Sequence, residues 1–332
     1  MDCTSPIISV AFLLASFHCH SLWAIPCPPF PAPVNLTEFS CSFRSLSEFP
    51  VGFPERTRLI SVESTNLAVI GVEALRGLPN LQELHLSNNR LKTLPNGLFR
   101  DLPELHTLDL TSNLLEDLPL GVFQNSTALK LLSLQGNKLT TLRPSWFQTL
   151  QQLTILDLSQ NQLMDVPHSC FQELKNLTTL DLSQNLLRTV SPQILDGLSR
   201  LERLILEGNG LRTIANNTFD VVSSLKFLFL QNNSLANLPA GIFMPLGHLE
   251  LLDVSSNQLT SLDPQFSSRA VELSLDLSGN PWACDCHLRS LLEWATNSSV
   301  TLFSKPEVTC ASPKNLEGQA VTSLKETAFG TC

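Results

Sequence analysis

The stretch Leu81-Gln82-Glu83-Leu84-His85-Leu86-Ser87-Asn88-Asn89-Arg90-Leu91 decides how this chain folds. Its pattern, L-x-x-L-x-L-x-x-N-x-L, alternates leucine through Leu84 and Leu86, the period of an extended strand, and then places an asparagine where the chain must turn. The asparagine recurs at Asn113, Asn137, Asn161, Asn185, Asn209, Asn233 and Asn257, a step of 24 residues held through eight copies. Degenerate copies extend the pattern, around Ile60, Val62, Thr65 and Leu67 at one end and around Leu275, Leu277 and Asn280 at the other, the last after a step of 23. A fixed period of this length marks a solenoid, in which each unit buries its apolar face only against its neighbours.

The spacing has a mechanical meaning. In a short parallel strand Leu84 and Leu86 point inward, and Glu83, His85 and Ser87 point to the opposite face. Each asparagine amide is placed to bond the backbone of neighbouring coils where no strand partner exists. The return segments repeat Phe99, Phe123, Phe147, Phe171, Phe219 and Phe243 at the same step, with Leu195 substituting once. These residues are expected to stack as a core column.

The repeats occupy 57–280, flanked by candidate caps at 25–56 and 281–332, and no linker or charge run divides the chain of 332 residues. Residues 1–24 read as a secretory signal peptide, with an apolar stretch from Ile7 to Phe17 and a cut after Ala24. That stretch is too short to span a bilayer, so the processed chain is expected to be secreted, soluble and without a membrane span. Cleavage removes Asp2 and no basic residue, moving the net charge from −9 to −8. Of the nine cysteines, Cys27 and Cys41 then stand before the repeats, Cys284, Cys286, Cys310 and Cys332 after them, and Cys170 inside. Clusters at the two ends of a cysteine-poor middle suit disulfide caps in an oxidising compartment, and they lack the paired C-x-x-C of a structural zinc site. The four C-terminal cysteines allow three pairings. Cys170 fills an apolar slot occupied in other coils by Leu98, Val122, Trp146, Ile194 and Ile242, where a buried inert thiol is expected and an intermolecular disulfide is the alternative. Six acceptor sequons, at Asn35, Asn125, Asn176, Asn216, Asn232 and Asn297, predict several N-glycans, away from the strands for the most part. Asn232 is the exception, one residue before Asn233 at the edge of the inner face.

Catalysis finds no support. His85 and Ser87 with Asp109 of the next coil suggest a triad, but Ser and Asp at those positions are ordinary repeat text, as in Leu156-Asp157-Leu158-Ser159. No phosphate loop or dinucleotide fingerprint is present, and the net acidity argues against nucleic acid. No cofactor and no metal are expected. What remains is the outward face of the strands. One column, four residues before each asparagine, forms an acidic ladder that includes Asp109, Asp157, Asp181 and Asp253, with Glu207 in the column two residues later. Ile205, Phe227, Phe229 and Leu251 form an apolar island over three consecutive coils, in columns expected to face water. Exposed aromatic clusters mark contact sites, so ladder and island together are the candidate partner-binding face.

The repeat text from about Cys27 to Cys332 resembles the leucine-rich-repeat family. The resemblance implies a horseshoe solenoid, with a parallel sheet on the concave face, irregular or short helical return segments on the convex side and a disulfide cap at each end. The ends look like the family's extracellular caps, Cys27 and Cys41 on one side and Asn280-Pro281-Trp282-Ala283-Cys284-Asp285-Cys286 with Trp294, Cys310 and Cys332 on the other. Such caps imply the pairs Cys284–Cys310 and Cys286–Cys332. A single solenoid with two N-terminal cysteines resembles the leucine-rich α2-glycoprotein group of plasma proteins. Within it, the signal segment, the cap wording and the length are most similar to the beta-type phospholipase A₂ inhibitors of snake blood. That resemblance implies a circulating, non-enzymatic protein, a trimer by the same likeness, that captures a basic phospholipase A₂. The alternatives are a signalling-related plasma protein of the α2-glycoprotein kind and a matrix or adhesion component.

Overall fold

The computed structural model describes residues 25–26, 35–42, 46, 48–266, 272–297 and 300–329. The leader read at 1–24, together with Cys27 and Cys332, lies outside the described residues. Thirteen short strands form one parallel sheet in which successive coils are neighbours. It runs from Ile25–Pro26, Glu38–Ser40 and Leu59–Ser61 through the repeats and closes on Thr301–Leu302 of the C-terminal cap. The register follows the sequence period: Glu83 faces Thr107, Thr107 faces Leu131, and so on to Phe227 facing Leu251. The 23-residue step then brings Ser274 opposite Leu251 without breaking the ladder. A column in the sequence is therefore a column in space.

Each repeat strand spans three residues, and its middle leucine, Leu84 through Leu275, is buried. The chain then turns through one left-handed residue immediately before each asparagine. Asn88, Ser112, Gln160, Gln184, Asn232 and Ser256 lie at φ between 51 and 55°, and Gly136, Gly208 and Gly279 near 65°. That conformation costs glycine nothing and burdens other residues, so a repeated constraint must hold it. The asparagine supplies one. Asn161 Oδ1 accepts the N–H of Leu139 in the preceding coil at 3.0 Å, and its Nδ2 donates to the carbonyls of Leu134, Leu158 and Ser159 at 2.9–3.1 Å. Asn113, Asn137, Asn185, Asn209, Asn233 and Asn257 repeat the scheme. Each bond contributes about 1 kcal/mol net, but the buried backbone groups left unpaired without it would cost more.

The phenylalanine column is present and buried. Ring centroids lie 5.9 Å apart for Phe99–Phe123, 5.5 Å for Phe147–Phe171 and 6.1 Å for Phe219–Phe243. It runs on through Phe266, which follows Phe243 by the same 23-residue last step and lies 5.3 Å from it, and then through Trp294 of the cap helix Cys286–Asn297, outside the period and 4.6 Å from Phe266. The cap thus extends the core by stacking. The return segments are irregular, with 3₁₀ turns at Pro144–Trp146 and Pro192–Ile194 and a side ladder of Thr189–Val190 with Thr213–Ile214. Cys284 and Cys310 form a disulfide, and Trp282 donates from Nε1 to the Leu277 carbonyl at 2.8 Å. Cys41 and Cys286 are disulfide-bonded as well. Cys170 is a free, buried thiol, its pKa pushed by burial to about 12. No helix among the described residues is long and apolar enough to cross a membrane.

Candidate functional site

The outward positions of the strands build the concave face. In the acidic column His85, Asp109, Ser133, Asp157, Asp181, Ile205, Phe229, Asp253 and Asp276 succeed one another in strict register. The aspartates do not simply project into water. Asp157 is 3% exposed and accepts the Ser159 N–H at 2.9 Å and the Ser159 hydroxyl at 2.7 Å, both on Oδ1. Asp181 repeats this with Ser183 at 2.8 and 2.6 Å, and Asp109, Asp253 and Asp276 accept the N–H of Thr111, Ser255 and Ser278. The Asp-x-Ser text therefore satisfies a backbone N–H at the strand end, in the manner of an Asx turn.

Burial changes the charge this ladder presents. Asp157 is pushed above the usual carboxylate range, chiefly by burial, with the charge of Asp109 adding to it and the two Ser159 bonds opposing. Asp181 is raised to about 7, by burial and then by the negative charge of Asp157 in the adjacent strand, against the pull of the Ser183 bonds. Asp253 is raised too, again chiefly by burial. Burial therefore opposes ionisation along the centre of the face, most of all at Asp181.

The island is assembled, but it lies deeper than the sequence implies. Ile205 is 2% and Phe229 6% exposed, so the expectation that this column faces water is corrected. The two residues stand side by side in paired strands and cover one another. Phe227 and Leu251, also paired across strands, are half-buried and form its accessible part. Arg203 was not part of the sequence-based site. Its guanidinium carbon sits 4.3 Å from the centre of the Phe227 ring and 5.5 Å from that of Phe229, a cation–π contact on the island's flank. Burial lowers its pKa, against the opposing charge of Asp181. Glu207 accepts from Gln231 Nε2 at 2.9 Å and from Asn232 Nδ2 at 3.3 Å, joining the island's edge to the sequon at Asn232.

Glu63 is the other residue that sequence reading missed. It approaches His85 and Asp109 so closely that one ligand atom of each lies within 4.8 Å of the others. The His85 ring is held 3.2 Å from Glu83 through Nε2. Burial pulls the pKa of this histidine down, but the Glu83 bond and the charges of Asp109, Glu63 and Glu83 outweigh it, and the net shift is upward. His85, Ser87 and Asp109 do not form a triad, since the Ser87 hydroxyl donates to Glu63 at 3.1 Å. Of the sequons, Asn35, Asn125, Asn216 and Asn232 are exposed and Asn176 is half-buried, while the Asn297 side chain lies outside the described residues.

Comparison with known proteins follows the same lines. The Leucine rich repeat family matches residues 55–115, 103–163, 151–211 and 212–281. Over all 332 residues, and over the full length of each relative, the chain is 61% identical to a phospholipase A2 inhibitor of Gloydius brevicaudus siniticus and 67% identical to phospholipase A2 inhibitor beta of Elaphe climacophora. Among solved structures it is similar to a chain in an octameric complex of Latrophilin 3, Unc5D and FLRT2, with a TM-score of 0.70, 25% identity, and coverage of 90% of this chain and 83% of that one. A leucine-rich-repeat protein of Leptospira interrogans aligns with a TM-score of 0.64 at 25% identity, covering 81% of this chain and 71% of that one. The repeat, the register and the full-length identities agree: the chain belongs to the leucine-rich-repeat family and, within it, to the family of these phospholipase A₂ inhibitors.

Proposed function

We propose that this chain is a secreted glycoprotein of blood plasma that captures a basic phospholipase A₂ on its concave face and blocks it by binding alone. The observation that carries this reading is identity of 61% and 67%, from end to end, to two proteins named as phospholipase A₂ inhibitors. The geometry supports the choice of face. Phe227 and Leu251 offer a half-buried apolar anchor, with Ile205 and Phe229 beneath and beside them, and Asp109, Asp157, Asp181, Glu207 and Asp253 lie along the same strands. An aromatic anchor on a face that also carries Asp109 and Glu207 suits a partner that combines an apolar patch with basic residues, because the anchor holds the complex and the charge helps to select it. The net charge of −8 after loss of the leader likewise favours a basic partner. Homotrimer formation belongs to this reading and is measured by light scattering on the same preparation.

The test is hydrolysis of phospholipid vesicles by a basic and by an acidic phospholipase A₂, each titrated with the glycosylated protein. Stoichiometric loss of the basic enzyme's activity, with the acidic one spared, is expected. Inhibition of neither enzyme overturns the proposal, and equal inhibition of both removes the basic specificity.

A further inference from the structure

Glu63, His85 and Asp109 come from three successive coils at the N-terminal part of the concave face. A carboxylate oxygen from each acid and a ring nitrogen of the histidine all lie within 4.8 Å of one another. We propose that they form a divalent-cation site whose chemistry suits zinc. The register builds it. His85 stands opposite Asp109 in one neighbouring strand and opposite Ser61 in the other, and Glu63 follows Ser61 by two residues, reaching the histidine on a diagonal.

Each candidate ligand has a hydrogen-bonded neighbour that orients it. The Asp109 carboxylate accepts the Thr111 N–H through Oδ1 at 2.9 Å, and Glu63 accepts the Ser87 hydroxyl through Oε1 at 3.1 Å, so each acid keeps a second oxygen for a cation. Glu83 fixes the His85 ring through Nε2 at 3.2 Å, and the side chain of His85 is only 12% exposed. Carboxylates bonded to the imidazole orient metal-binding histidines in general. Among the described residues no Lys or Arg forms an ion pair with Glu63 or Asp109. The carboxylates of Glu63 and Asp109 beside one imidazole carry negative charge that a divalent ion would neutralise.

The donor set selects the ion. One imidazole nitrogen with carboxylate oxygens is a set that zinc takes in four-coordinate sites, whereas calcium and magnesium favour shells made of oxygen alone. Three protein ligands leave a position for water. A cation held by three coils would also tie them to one another, in a part of the molecule that depends otherwise on nearest-neighbour contacts. The site shares Asp109 with the acidic ladder and none of its residues with the aromatic island.

Calorimetric titration of the full glycosylated protein with zinc chloride at neutral pH, and with calcium chloride in parallel, tests the assignment. One zinc per chain is expected, bound at least about 10-fold more weakly by His85→Gln and by Asp109→Asn. Circular dichroism checks that both variants fold, and zinc is expected to raise the melting temperature of the wild type but not of Asp109→Asn. Absence of zinc binding by the wild type overturns the proposal. So does unchanged binding in both variants, which would move the zinc to His106, His168, His248 or His287, and so does calcium binding as tight as zinc. Capture of phospholipase A₂ by His85→Gln is expected to be unchanged, so failure of the zinc site and failure of the inhibitor reading are told apart.

Discussion

Phe227 and Phe229 occupy the two ends of one three-residue strand, point to the same face and meet the same arginine, yet they do different work. Phe229 is 6% exposed and wedged beside Ile205, so Phe229→Ala is expected to cost roughly 1.5–3 kcal/mol of folding stability as well as affinity, read as a shift in the denaturation midpoint. Phe227 is half-buried, and its truncation is expected to leave the midpoint nearly unchanged while weakening the complex by about 2 kcal/mol, mostly through faster dissociation in surface plasmon resonance. Equal effects of the two variants on stability would contradict the difference in depth. Asp181 yields a prediction of another kind. Its carboxyl is raised from 3.8 to about 7 in the folded protein, so the folded state holds the proton more tightly than the unfolded chain does. The stability this contributes is complete below the unfolded value and declines as pH rises from about 4 to about 7. Asp181→Asn removes that dependence and keeps a carbonyl oxygen for the Ser183 N–H. The melting temperature of the variant is expected to gain on the wild type across this interval, and a constant difference would show that the carboxyl titrates as it does in the unfolded chain.

At the scale of the element, the repeat is held by two inner columns, the asparagine ladder and the phenylalanine stack, and both were legible in the sequence. Core positions must recur wherever the coil recurs, because each side chain meets its own copy from the next coil. Phe147 is fully buried between coils, and Phe147→Ala is expected to lower stability by about 3–5 kcal/mol in chemical denaturation. A loss below about 1 kcal/mol would mean that the column can collapse around the void. The outward columns were legible in direction but not in depth. Alternation assigns a face, while Ile205 and Phe229 are covered by one another and by the curve of neighbouring strands, a property of three coils that no single coil encodes. Arg203 escaped because nothing in its own repeat distinguishes it, and only the ring one coil away gives its guanidinium a seat. Glu63 escaped because its coil is degenerate, with Thr65 where the asparagine belongs. That threonine instead donates from its N–H and its hydroxyl to Asn89 Oδ1 at 3.1 and 2.8 Å. Phe266 escaped because it follows Phe243 by the shortened step of 23, and Trp294 falls outside the period altogether.

Over the whole molecule, contacts join each coil to the next and the disulfide Cys284–Cys310 lies in the C-terminal cap, so strength is distributed unevenly along the axis. Reduction is expected to raise amide hydrogen exchange first at the two ends, around Cys41 and around Trp282, Cys310 and the helix Cys286–Asn297, with the coils between Asn113 and Asn233 protected longest. Uniform loss of protection would mean that the solenoid melts as a single unit. The constant register also bears on how such a chain can change over generations. Because Glu83 through Leu251 advance by whole 24-residue steps, duplication or loss of one such segment between the caps joins every column to its counterpart, wherever the break falls. The caps close the two ends of the repeat array, and they place no limit on how many units stand between them. Such a lineage can lengthen, shorten or shuffle its binding surface one strand at a time, trying new partners without having to invent a new core.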